Sequence, residues 1–526
     1  MVNFSFSMKM KKFMPFFGIA AILLAGSCAM GCDGFSEEEI VPQPVEQFVT
    51  LTTTVSIEKP ATKAVGADGA KTFEAGDRMA VVINGAKYVS EALVAADISN
   101  EGKSARFTVK NVNNPQANQD VKYIYPASAA DENGAMDFTK LATQNGTHPS
   151  KSNPVDFGQF TGNLTSNAQL PAATLSNPLT LVKFTIKNAE NNDITSTVTQ
   201  LIVSDGTNTY TVNLESVADT IWVAMQPVMS GDISFTALAG TDAYSKEVTG
   251  KTLDASSLYP IKLKMDFDPL RTPLTFEAKT AGATITFAPS ETYAANAVEY
   301  STDGGKTWND CAAGASVKLT NVGDKVAFHG SRASYATNST NYSHFSSSED
   351  CYFYGNVMSL VDSSSFAEQK KLTANYAFCG LFRQDASNEK LKNHASKKLV
   401  LPATTLKNYC YSSMFQDCKG LTVAPELPAE TLASYCYTSM FQSTGLTAAP
   451  ALPAQTLTYA CYQKMFNDCN MLTSITCFAT NINADNSTNN WLKSVASNGT
   501  FTTPTETGWS TGPSGIPDGW TRKNYE

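Results

Sequence analysis

Three consecutive stretches of the chain are almost the same sequence. LPATTLKNYCYSSMFQDCKGLTVAPE (401–426), LPAETLASYCYTSMFQSTGLTAAPA (427–451) and LPAQTLTYACYQKMFNDCNMLTSIT (452–476) align from end to end. The first has 26 residues and the others 25, because QSTGL is one shorter than QDCKGL. A degenerate copy precedes them: YAFCGLF (376–382) lines up with YCYSSMF (409–415). A period of this size constrains the fold more than any other feature. One unit is too short to bury its own apolar face, so the units must stack and share a continuous core.

Each unit has two parts. The LTVAPELPA phrase is extended, with Pro425 and Pro428 barring a helix. In TLKNYCYSSMFQDC, Cys410, Met414 and Cys418 are four residues apart, as are Tyr411 and Phe415. That spacing predicts a short helix or turn segment with these side chains on one face. The inward set is then Cys410, Met414 and Phe415, with Cys436, Met440, Phe441, Cys461, Met465 and Phe466 as their equivalents. The residues between them face out, so Lys407, Asn408, Glu430, Gln455 and Lys464 are the candidate ligand contacts.

The cysteines invite other readings. A structural zinc site wants four ligands, often as paired CxxC. Here the spacing is eight, and the middle repeat has Ser443 and Thr444 where its neighbours carry Cys418 and Cys469. Three equivalent cysteines cannot all pair into disulfides, and a nucleophile needs a neighbouring base, while no histidine lies inside the three repeats. Buried free cysteine, acting as a small hydrophobe, explains every copy. Residues 351–526 resemble the BspA-like leucine-rich repeats of anaerobic bacterial surface proteins. YGNVMSLVD (354–362), NWLKSVASNGTF (490–501) and GIPDGW (515–520) match the flanks of that family. The resemblance implies a short solenoid with a strand and a short helix per repeat, closed by a cap that includes Trp509 and Trp520.

Residues 48–266 show period-two alternation instead. FVTLTTTVSI (48–57), MAVVI (79–83), ARFTVKNV (105–112), VKYIYPA (121–127), LTLVKFTIKN (179–188), TQLIVSDG (199–206), DISFTAL (232–238) and YPIKLKM (259–265) read as strands between Asp, Asn and Gly turns. No helical stretch interleaves, which argues against a parallel α/β sheet. ATKAV (61–65), FEAGDRMAVV (73–82), YIYPA (123–127), LVKFTIK (181–187), WVAMQPV (222–228) and SLYPIKLKM (257–265) resemble the fimbrillins, pilus subunits of Gram-negative anaerobes. That resemblance implies a two-lobed β-sandwich. It also implies proteolytic trimming near the first strand, here at Lys63, so that the next subunit can add a strand. Lys63 stands where the best-known members have Arg. A sandwich used only as a spacer is the alternative.

Residues 268–350 read as a small third β-module. PLTFEA (273–278) and ATITFA (283–288) alternate, VEYSTDGGKTWND (298–310) is a hairpin, and VGDKVAFHG (322–330) closes the module. STDGGKTW (301–308) fits the aspartate box of sialidases. It occurs once, and only Arg271 and Arg332 lie near it in sequence, whereas a sialoside carboxylate needs an arginine cluster. It therefore reads as a structural turn. His148, His329, His344 and His394 are scattered, and no HExxH, GxSxG or phosphate-cradling loop occurs. No cofactor, metal site or reaction is expected.

The N-terminus reads as a targeting segment. Lys9, Lys11 and Lys12 precede the uncharged FMPFFGIAAILLAGS (13–27), which is short for a membrane span. The small residues before Cys28 and Cys32 resemble a bacterial lipoprotein signal. The acidic CDGFSEEE after Cys32 favours that residue as the lipid-bearing one, with Cys28 the alternative. Residues 1–32 are then the signal peptide and 33–47 an acidic tether. The net charge of −9, without a basic patch, excludes nucleic acid as the expected partner.

These readings make the chain mainly β: a fimbrillin-like two-lobed β-sandwich, a β-module and a leucine-rich-repeat solenoid, held at the outer-membrane surface by a lipid alone. The expected function is adhesion, binding a host or bacterial protein or glycan through the repeats. The alternatives are an accessory or tip pilus subunit and, behind it, a glycosidase.

Overall fold

The computed structural model describes residues 47–57, 61–62, 72–147, 157–165, 169–290, 298–311, 315–384, 389–505 and 508–525. Cys28, Cys32, Lys63 and His148 lie outside them. The fold is mainly β, and among the described residues the only helical pieces are short 3-10 turns.

Two sandwich lobes come first. In one, the four-stranded sheet of Ala173–Leu175, Phe48–Ile57, Ser104–Asn113 and Ile98–Ser99 faces a second of Ala86–Val89, Ala80–Ile83, Asp120–Tyr125 and Gly158–Asn163. Leu51, Val55, Phe73, Phe107 and Tyr123 fill the space between them. In the other lobe, a four-stranded sheet centred on Thr180–Lys187 and Ser257–Lys264 packs on a six-stranded one. Phe184, Val203, Tyr210, Val223 and Phe235 form its core. All eight stretches with period-two alternation are strands here, because alternation places one side chain in two against the facing sheet. Ile221–Met225 is buried at every position. It lacks alternation because both its faces are covered.

Residues 274–360 form a three-stranded sheet and five strands of a seven-stranded one, which Leu391–Asn393 and Leu399–Val400 complete. Ala283–Ala288 alternates strictly between buried and part-buried positions. The 301–308 turn is the structural element its sequence suggested. The Asp303 carboxylate accepts from the Thr307 amide at 3.0 Å, the Ser301 hydroxyl at 2.8 Å and the Thr307 hydroxyl at 2.6 Å. These bonds hold its pKa down at about 2. Trp308 stacks flat on His329, centroids 3.6 Å apart, and His329 Nε2 lies 2.6 Å from Glu299. The turn serves as a docking point. Gly304 (φ 77°) touches Gly240 (φ 65°) at the tip of the 228–253 hairpin, and a Cβ on Gly304 would come within 3.0 Å of the Gly240 Cα. Both positions require positive φ and the absence of a side chain.

A buried charge cluster lies beside this contact. Asp242 is 1% exposed. Its Oδ2 is 2.7 Å from Lys325 Nζ and 3.0 Å from Lys397 Nζ. Lys397 Nζ also lies 2.8 Å from Glu277 Oε2. The Tyr354 hydroxyl lies 2.8 Å from Glu277 Oε2 and 3.3 Å from Asp242 Oδ1. His394 Nδ1 accepts the Ser396 and Lys397 amides and so fixes the loop that carries Lys397.

Candidate functional site

The repeats stack as parallel coils, at 376–384, 409–418, 435–444, 460–469 and 486–494. Their hydrogen bonding is not helical. Residues 410, 412, 414, 416 and 418 donate their amides three residues back within the coil. Residues 409, 411, 413, 415 and 417 instead donate to carbonyls 434, 436, 438, 440 and 442 of the next coil, at 2.8 to 3.1 Å. Every fourth residue takes positive φ: Tyr409, Ser413 and Asp417, then Tyr435, Ser439 and Ser443, then Ala460, Lys464 and Asp468. Each coil is therefore a chain of tight turns, and half of its amides bind its neighbour. This corrects the expected helix. A four-residue turn repeat and an α-helix place the same residues inward, so the side-chain pattern fits both. The expected strand is reduced to single bridges such as Thr405–Thr431 and Thr456–Asn481. The 486–494 coil, which overlaps the NWLKSVASNGTF flank, continues the stack: Tyr462 and Phe466 donate to Ser487 and Trp491. Beyond it, Leu492 donates to Pro513, and Trp491 stacks on Trp509 at 5.3 Å.

The inward face is occupied as the four-residue spacing requires. Cys410, Met414, Phe415, Cys436, Met440, Phe441, Cys461, Met465 and Phe466 are all 0% exposed. Two aromatic columns run through the core. Phe382, Phe415, Phe441 and Phe466 stack at 5.5 to 5.6 Å, with ring planes within 12°. Phe378, Tyr411, Tyr437, Tyr462 and Trp491 stack at 5.8 to 6.1 Å. Burial pushes the Cys410 and Cys418 thiols up to about 12 and the Cys461 thiol up to about 11. Apolar burial of this kind disfavours the thiolate form.

Asn408, Glu430, Gln455 and Lys464 are exposed, and Lys407 is half-buried. They do not converge. Glu430 and Gln455 occupy equivalent places in successive coils, each just before a bridge threonine. Lys407 and Asn408 lie at the start of the turn segment. Lys464 is a positive-φ residue farther along.

Sequence reasoning missed a third aromatic column, on the surface. Tyr376 and Tyr409 stack at 4.7 Å, and Tyr409 and Tyr435 at 4.3 Å with planes 9° apart. Tyr459 closes the row edge-on at 5.2 Å and is 43% exposed. Hydrogen bonding to Tyr459, then partial burial and Tyr409, raises the pKa of Tyr435, so its phenol stays neutral. The signal was present in NYC, SYC and TYAC, with a tyrosine one or two residues before the core cysteine. In the third repeat that tyrosine is one residue early, which accounts for its different ring orientation.

A scan against family profiles and a search of curated proteins each found no match. Among solved structures, a Bacteroides uniformis protein provisionally described as a cell adhesion protein aligns with 42% of this chain and 96% of its own, at 12% identity and TM-score 0.27. A fimbrial assembly protein from Parabacteroides distasonis aligns with 42% of this chain and 94% of its own, at 11% identity and TM-score 0.24. A leucine-rich repeat protein from Bacteroides thetaiotaomicron aligns with 41% of this chain and 27% of its own, at 12% identity and TM-score 0.14. Likeness this weak fixes neither a family nor an activity.

Proposed function

We propose that the protein is a surface adhesin, lipid-anchored through Cys32 or Cys28, that binds a protein or glycan through its repeat stack and catalyses no reaction. The row of exposed and half-exposed tyrosines from Tyr376 to Tyr459 carries this reading. Tyrosine offers a large contact area with few rotatable bonds and a polar tip, which suits it to interfaces. Asn408 adjoins the row, its carbonyl accepting the Tyr376 amide, while Glu430 and Gln455 occupy equivalent places in successive coils.

The test uses the full chain displayed on cells, probed with host-matrix proteins and glycan arrays. Tyr409→Ser with Tyr435→Ser should reduce adhesion at least tenfold while leaving the melting temperature of the purified protein within a few degrees. Unchanged adhesion would remove the tyrosine row from the contact surface. Absence of any array signal from the wild type would sink the adhesin reading. Loss of labelled fatty acid when Cys32 and Cys28 are both replaced tests the anchor.

A second reading, a pilus subunit built by strand exchange, is favoured by one observation. Leu51 and Val55 of Phe48–Ile57 are fully buried in the first lobe, and that strand precedes Lys63. Cleavage at Lys63 would leave a groove that a donor strand could fill. An intact mature N-terminus on native surface protein would exclude it.

A further inference from the structure

We propose that Lys397 and Asp242 condense into an isopeptide bond, Nζ to Cγ, with Glu277 carrying the protons. Three observations assign the roles. Lys397 Nζ lies 3.0 Å from Asp242 Oδ2 and 2.8 Å from Glu277 Oε2, so nucleophile, electrophile and proton carrier are already in contact. The pair is shielded: the side chains of Lys397 and Asp242 are 12% and 1% exposed, and the Nζ lies 4.6 Å from the centroid of Tyr354 and 5.9 Å from that of Phe267. The two oxygens of the Asp242 carboxyl also face separate donors, Lys325 Nζ at Oδ2 and, at Oδ1, the Tyr354 hydroxyl, whose proton lies closer to Glu277 until Glu277 is protonated.

The reaction balances without an oxidant or co-substrate. A proton passes from the Lys397 ammonium to Glu277, and the free amine attacks Asp242 Cγ. Tyr354 stabilises charge developing on Oδ1, which remains as the amide oxygen. Glu277 hands that first proton to Oδ2, takes the second from the nitrogen after attack and passes it on in turn, so the Cγ–Oδ2 bond breaks and Oδ2 leaves as water. One cation and one anion disappear together. Lys325 and Glu277, 3.9 Å apart, remain as a balanced pair.

Burial opposes every charge in the cluster, and an ion pair kept there bears a desolvation penalty that an amide does not. Burial lowers the Lys397 pKa, but attraction from Asp242 and Glu277 outweighs it and leaves the value raised. The same attraction lowers Asp242 and Glu277 against their own burial. The reactive neutral pair is therefore a minority state. The condensation is slow, occurs once per molecule and is complete only after folding. The Lys325 side chain is 37% exposed against 12% for Lys397, so Lys397 is the shielded amine and the nucleophile. The bond would tie the sandwich hairpin to the loop that leads into the repeats, a cross-link across 155 residues of sequence.

The test is a proteolytic digest of the full chain isolated from cells, read by mass spectrometry. The expected result is one branched peptide holding Asp242 and Lys397, lighter than the sum of its two parts by one water, about 18 Da. Lys397→Arg keeps the charge but lacks an amine and should give two separate peptides. Glu277→Gln should accumulate the unlinked form. Wild-type digests that yield only unlinked peptides would overturn the proposal whether or not the variants fold, and a link from Lys325 would overturn the assignment of the nucleophile.

Discussion

At the scale of single residues, the inward positions were the most legible part of the chain. The three near-copies exposed them: Cys410, Met414 and Phe415 are held constant in type while their neighbours change. The structure buries all of them completely. Cys410→Ala should cost about 1 kcal/mol or more through the cavity it leaves, and thiol reagents should leave Cys410 unmodified in the native protein. Tyr411 is a less obvious case. Its hydroxyl is buried with no hydrogen-bond partner among the described residues, and the degenerate copy has Phe378 at this place in the stack. Removing a buried unsatisfied hydroxyl should raise stability, so Tyr411→Phe should gain about 1 kcal/mol in denaturant unfolding. A loss would show that the hydroxyl has a partner after all. The buried thiols also set an alkaline limit. The ordinary cysteine value is 9.0, and burial pushes Cys410, Cys379 and Cys477 up to about 12. The folded state holds protons that the unfolded chain releases. Their contribution is thus complete below pH 9 and is lost as pH rises toward 12. The unfolding midpoint should fall steadily across that window, and a flat profile would mean that the thiols are not in a dry core.

At the scale of elements, strands were legible and the repeat backbone was not. Ala283–Ala288 declares itself by alternation, since one residue in two must meet a core. The turn segments carry a four-residue period, and the sequence alone does not say whether their amides bond within the coil or between coils. The deciding residues are those with positive φ. Tyr409, Ser413, Asp417, Tyr435, Ser439, Ser443, Ala460, Lys464 and Asp468 include no β-branched side chain. That absence is the signal that was available, because left-handed backbone excludes valine, isoleucine and threonine most strongly. Lys464 is the informative position, being exposed and away from the core. Lys464→Gly should stabilise by about 1 kcal/mol by relieving left-handed strain, and Lys464→Val should destabilise by a similar amount. An α-helix at this site would give a different result, since glycine would then weaken it. Gly445 sets a related limit. A Cβ there would come within 2.3 Å of the Lys419 carbonyl oxygen, so the coils approach too closely at that point for any side chain.

At the scale of the whole molecule, the decisive contacts join residues far apart in sequence, which is why local pattern did not reveal them. One apolar cluster runs without a break from Leu274 and Phe276, through Phe353 and Phe382, along the repeats to Trp491 and Trp520. The strand Cys351–Asn356 explains the continuity. On one side it pairs with Leu274–Ala278, setting Phe276 opposite Phe353. On the other it pairs with Leu391–Asn393 and Leu399–Val400 at the start of the stack. Phe353 then touches Phe382 at 5.2 Å and Phe415 at 6.3 Å, so the β-module closes the end of the phenylalanine column. A stack of coils needs such a cover, because its first coil otherwise exposes a full apolar face. A fragment covering 351–526 should therefore bind hydrophobic dye, self-associate and unfold without a sharp transition. A fragment covering 268–526 keeps Phe276, Phe328 and Phe345 over that face and should unfold cooperatively. Size-exclusion chromatography and thermal circular dichroism of the two fragments decide the matter. If 351–526 is monomeric and melts as sharply as 268–526, the repeats carry their own cap, and the shared core is contact between two independent domains rather than a single folding unit.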